Sequence, residues 1–196
     1  MIDGSGLRSF QFREYLHIWL FSAGLAILMH ASSFWWSHSE GDECVYLSLA
    51  RGMHWDLSHY NTQYDPVIRR FPYSIYRSPL FHHPPLYPLV LKLGHATFRA
   101  PVITGLLFAN ATMLLMLYYT WRWMVFQRIP VAWGAIAFAG VTFCPLLLSS
   151  TMLLHHDALM GCFMACGLVA YLEALKRPTV ARAIVAGVLL AVGLNL

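Results

Sequence analysis

The chain has 196 residues, 58% hydrophobic and only 11% charged, with a mean hydropathy of +0.55. A soluble domain of this size carries about 25% charged residues, so the composition excludes an ordinary soluble fold and predicts an all-α polytopic membrane protein. The formal net charge of +4 is accounted for by short basic loops between apolar runs and does not point to nucleic acid.

A helix needs about 20 apolar residues to cross the hydrocarbon. After a cytoplasmic N-terminus, residues 1–15, Leu16 to Trp36 is the first such run; it lacks Asp, Glu, Lys and Arg, and Trp19, Trp35 and Trp36 suit the interfacial belt. Residues 41–53 read as a short amphipathic helix, with Val45, Leu49 and Met53 recurring every fourth residue. Such a helix can lie flat on a membrane. Its first turn holds Asp42 and Glu43, where the helix dipole favours negative charge. Residues 55–80 have no clear period and read as an irregular loop carrying Arg69, Arg70 and Arg77 among aromatic residues. Residues 85–98 contain Lys92 and His95 and are too short and polar to span, so they read as an interfacial helix opened by Pro84-Pro85. Pro101 to Thr120 is the second span. Ile129 to Thr151 is the third, with a kink at Pro145. Ala158 to Leu175 is the fourth and carries Glu173 near its end, and Ala183 to Leu196 begins a fifth. The expectation is therefore about five transmembrane helices, the last incomplete, in one transmembrane domain over 16–196, with interfacial helices in a long first outer loop, 37–100.

Loop charge sets the orientation. Arg8 and Arg13 precede the first span, Arg122 and Arg128 separate the second and third, and Lys176, Arg177 and Arg182 separate the fourth and fifth. Reading 85–98 as interfacial puts all three groups on the cytoplasmic side, as the positive-inside rule requires; reading it as a span would put Arg122 and Arg128 outside. The N-terminus is then inside a multi-pass inner-membrane protein. Eight of the ten histidines and six of the nine acids fall on the opposite face. Of the four cysteines, Cys144, Cys162 and Cys166 lie in spans and Cys44 in the outer loop, so no disulfide framework is implied. Cys162 and Cys166 read as packing residues. The first span is too long for a cleavable signal peptide.

Three polar clusters share that outer face. Asp42 and Glu43 are adjacent, so on a helix they point about 100° apart and are not a facing carboxylate pair; the bland alternative is an ordinary polar helix start. His82-His83-Pro84-Pro85 offers imidazoles to a metal or a phosphate, or simply places two histidines at the interface. His155-His156-Asp157 lies between two spans, where polar groups face a cavity or pair with each other; a solvated turn is the plain alternative. Divalent metals accept such ligands. His82, His83 and His156, with the nearby carboxylates, would form a site only if the loops converge.

The order of these clusters resembles the membrane-embedded glycosyltransferases of the GT-C class, and more closely bacterial relatives of dolichyl-phosphate-mannose–protein mannosyltransferase, which include lipid A aminoarabinose transferases. The matching pieces are Gly41-Asp42-Glu43-Cys44-Val45-Tyr46 through Ala50-Arg51-Gly52-Met53, His83-Pro84-Pro85-Leu86-Tyr87-Pro88-Leu89, and Pro145 through Ser149-Ser150 to Asp157-Ala158-Leu159. The resemblance implies inverting transfer of a sugar from a polyprenyl-phosphate carrier to a lipid, glycan or protein acceptor at the outer face of the cytoplasmic membrane. It implies Asp42 as general base, Glu43 as its support and Asp157 as a second acid near donor or acceptor. The phosphate leaving group needs its charge neutralised, and Arg69, Arg70, Arg77 and His83 are the candidates, with a divalent metal as a further possibility. Some relatives have a lysine where this chain has His83. Family members carry many more spans, so the chain reads as the N-terminal part of such an enzyme. The competing class is a non-catalytic polytopic protein, a transporter or scaffold subunit. A transporter places polar groups or broken helices at mid-membrane; here the spans hold Asn110, Pro145 and few others at depth.

Overall fold

The computed structural model describes residues 16–17, 19–25, 27–28, 42–57, 60, 84–144 and 156–196, with backbone alone for 42–44. The described residues are helical with no strand. Six helices follow an N-terminal helical segment: α1 Asp42–Gly52, α2 Leu86–Phe98, α3 Pro101–Gln127, α4 Val131–Thr142, α5 Asp157–Lys176 and α6 Val180–Asn195.

α3 and α5 are long and apolar enough to cross a membrane. At 1.5 Å per residue the 27-residue α3 is about 40 Å long and the 20-residue α5 about 30 Å, against a hydrocarbon core of about 30 Å. α4 and α6 are apolar but have 12 and 16 residues. Among the described residues, two of the five expected spans are helices of crossing length. The rest of the expected third span, with Pro145, and the far end of the first lie outside the described residues. α3 also continues past its expected end at Thr120. The next breaker is Pro130, so Arg122 stands inside the helix and not in a loop.

α2 folds back along α3 through a two-residue turn. The amide of Arg99 donates to His95 O and that of Ala100 to Gly94 O, both at 3.2 Å. Gly94 permits the close approach, since a Cβ there would stand 2.1 Å from Oγ1 of Thr104. α3 and α5 run parallel. Phe108 stacks on Phe163 at 6.0 Å in their first halves, and Arg122 pairs with Glu173 near their C-terminal ends. α6 returns along α5 on small residues: Gly167 faces Leu190 and Gly193 faces Met164. A second cluster joins Met113, Leu117 and Met124 of α3 to Phe138 of α4 and Ala23 of the N-terminal segment.

The polarity of α5 is turned inside out. Leu168, Tyr171 and Leu175 recur at helical spacing and are 54%, 47% and 60% exposed, while Glu173 is buried at 7%. Water does not favour an outward apolar stripe over an inward charge; hydrocarbon does.

Candidate functional site

α1 was expected as an amphipathic surface helix. Its residues form the helix, but Val45 to Ala50 are buried on every face, held by α2. Lys92 of α2 donates to the carbonyl of Met53 at 2.6 Å, capping the C-terminal end of α1, and its ammonium lies 5.3 Å from the Trp55 ring. Tyr60 donates to the carbonyl of Pro84 at 3.1 Å, and burial pushes its hydroxyl pKa up.

The polar centre of this end is a junction between α1 and α5. The hydroxyl of Tyr46 and Nδ1 of His156 share a hydrogen bond of 2.7 Å, buried and spanning 110 residues of sequence. Nε2 of His156 lies 3.4 Å from Oδ1 of Asp157. A single tautomer serves both contacts: Nδ1 accepts from the tyrosine while Nε2–H faces the carboxylate. Asp157 is the first residue of α5 and is 73% exposed, whereas the ring of His156 is buried beneath it. Tyr87 of α2 closes the node. It meets Tyr46 edge-on at 5.5 Å, stacks near His156 at 6.3 Å and reaches Phe108 of α3 at 6.4 Å. Edge-on and offset geometries are the favoured ones for aromatic pairs. α1, α2 and α5 therefore meet at one imidazole, with Phe108 of α3 packed behind Tyr87.

Asp42 and Glu43 open α1, one turn before Tyr46. Positions 42 and 43 are four and three residues from Tyr46, so both flank its face of the helix, about 40° and 60° from it on opposite sides. The side chains of both lie outside the described residues. So do Arg69, Arg70, Arg77, His82 and His83 entirely. Of the expected metal ligands only His156 is described, and its nitrogens already face Tyr46 and Asp157. Among the described residues no three His, Cys, Asp or Glu side chains converge as a metal set. In the sequence Tyr46 and Tyr87 stand within the pieces that carry the family resemblance, with no role assigned to either. Their role rests on helix packing that a residue pattern does not carry.

Compared with known proteins, the chain matches no family model, no curated protein and no solved structure. Over the described residues, fold and site together define a helical bundle with two helices long and apolar enough to cross a membrane and a buried Tyr–His pair, flanked by an exposed aspartate, at one end of them.

Proposed function

We propose that the protein is a membrane glycosyltransferase of the GT-C class, working at the bilayer surface on a polyprenyl-phosphate sugar. The observation that carries this reading is the Tyr46–His156 hydrogen bond. It draws the acidic first turn of α1 and the exposed Asp157 to the same end of the two long helices, where a lipid-borne phosphate and a water-soluble sugar meet. In the reaction the acceptor oxygen attacks the anomeric carbon, the bond from that carbon to the phosphate oxygen breaks, and polyprenyl phosphate leaves. Asp42 takes the acceptor proton. Both positions flank the face of Tyr46, so the base role goes to position 42, with Glu43 as its support, by the family resemblance. Asp157 holds sugar or acceptor hydroxyls. Arg69, Arg70 and Arg77 supply positive charge for the leaving phosphate. The N-terminus is cytoplasmic, and the site faces the opposite side of the inner membrane.

The test reconstitutes the protein in proteoliposomes with a labelled polyprenyl-phosphate sugar and follows label leaving the lipid. Asp42→Asn is expected to lower turnover about 10²–10⁴-fold with the helical content retained. Equal turnover in that variant would remove Asp42 from the base role. Donor binding or translocation without cleavage would replace the enzyme with a transporter or scaffold.

A further inference from the structure

The end of the bundle opposite the Tyr46–His156 junction carries a different chemistry. Glu173 is buried and is the acid of that end among the described residues; Arg122 takes both its oxygens, with Nε donating to Oε1 at 3.2 Å. The remaining cations are left with no carboxylate partner among the described residues. Arg128 ends α3, Lys176 ends α5, and Arg177 and Arg182 flank the α5–α6 turn. Arg128, Lys176 and Arg177 are exposed. Packing fixes their place. The ammonium of Lys176 lies 4.4 Å from the ring of Phe126, two residues before Arg128, and bridges α3 and α5. Arg182 Nη1 donates to the carbonyl of Arg177 at 2.7 Å, pulling the α5–α6 turn together. These cations sit where two helices of crossing length end, beside the outward apolar side chains Leu175 and Val180.

We propose that this rim binds the phosphate of an anionic phospholipid, with the acyl chains lying on the apolar outer faces of α5 and α6. Guanidinium forks match phosphate oxygens, and the leucine and valine side chains beside them match acyl chains. A cluster of this size at the end of a spanning helix attracts anionic lipid with an affinity falling about fivefold for each basic side chain removed. The proposal rests on membrane crossing alone and not on the transferase reading.

The experiment titrates detergent-solubilised full-length protein with dioleoyl-phosphatidylglycerol or dioleoyl-phosphatidylcholine and reads bound lipid by native mass spectrometry. Phosphatidylglycerol should bind the wild type and phosphatidylcholine should bind far more weakly. The triple variant Arg128→Gln/Lys176→Gln/Arg177→Gln should weaken phosphatidylglycerol about a hundredfold, while Arg128→Lys/Arg177→Lys, which keeps the charges but not the forks, should weaken it far less. Circular dichroism on each variant reports whether the helices survive; if the triple variant unfolds, Arg177→Gln alone, with an expected fivefold loss, decides. Equal affinity for the two lipids would overturn the proposal, as would undiminished phosphatidylglycerol binding by the folded triple variant or by folded Arg177→Gln. Competition by soluble glycerol phosphate at equal concentration would also overturn it, since the acyl chains would then contribute nothing.

Discussion

One hydroxyl joins α1 to α5. Removing it by Tyr46→Phe keeps the ring and its edge-on contact with Tyr87 but takes the 2.7 Å partner from Nδ1 of a buried imidazole. A buried group deprived of its partner costs about 1–3 kcal/mol. We expect that loss in detergent unfolding of Tyr46→Phe, and an unchanged midpoint would mean the bond contributes nothing. Glu173 makes the complementary case. Glu173→Gln leaves Arg122 charged with its partner neutralised. Breaking a buried pair on one side costs about 3–5 kcal/mol, discounted here because Arg122 is a third exposed; about 2–3 kcal/mol is expected. Replacing both by leucine should recover most of that loss, because no charge is then stranded. A double variant no more stable than Glu173→Gln would show that the pair fixes the helices and does not merely satisfy itself. Neither residue was legible in this role. Arg122 was expected in a loop and Glu173 as a blemish near the end of a short span. They lie 51 residues apart in sequence and meet only because α3 and α5 run parallel. No local pattern encodes that.

The helices themselves were legible. The expected 41–53, 85–98 and 158–175 became Asp42–Gly52, Leu86–Phe98 and Asp157–Lys176. Three of these boundaries carry a local signal: a proline pair before Leu86, an aspartate at the first position of α5 and Pro178 after it. Where the signal was charge alone, as at Thr120 to Arg122, the boundary moved, because a single arginine does not break a helix. Which faces touch was less legible. α5 and α6 form the most extensive contact in the bundle, and glycines set its closeness. A Cβ at Gly167 would stand 2.8 Å from Cγ and Cδ2 of Leu190. Nothing lies within 4 Å of a Cβ at Gly187 on the same pair. Gly167→Ala is therefore expected to destabilise by about 1–3 kcal/mol through overpacking. Gly187→Ala should be neutral or stabilising by up to about 1 kcal/mol, since alanine suits a helix interior better than glycine. Leu190→Ala in the Gly167→Ala background should return part of the loss. Equal effects at positions 167 and 187 would mean that helix propensity and not contact governs this hairpin. Thermal unfolding of the four proteins in one detergent makes the comparison.

For the molecule as a whole, the two ends of α3 and α5 differ in kind. One gathers Tyr46, Tyr87, His156 and Asp157, the other Arg122, Arg128 and Lys176. An outward apolar stripe on α5 over an inward ion pair is stable only if the surroundings of the stripe are less polar than its interior. The burial pattern thus suits a membrane as the composition does, and that has a consequence for access. If α3 crosses, its two ends lie in different compartments, and the proposed topology has the Arg128 end in the cytoplasm. Phe98 precedes the first residue of α3 by one short turn and Arg128 follows its last, and both are exposed. Cysteine introduced singly at these positions, with the native cysteines replaced by alanine, reports the side. In intact cells a membrane-impermeant maleimide should modify Phe98→Cys and spare Arg128→Cys until the membrane is permeabilised. Modification of both in intact cells would mean that α3 does not cross, and the ion pair would then need another reason to be buried. Modification of Arg128→Cys alone would invert the orientation, and the carboxylates of α1 and α5 would face the cytoplasm, away from any acceptor beyond the membrane.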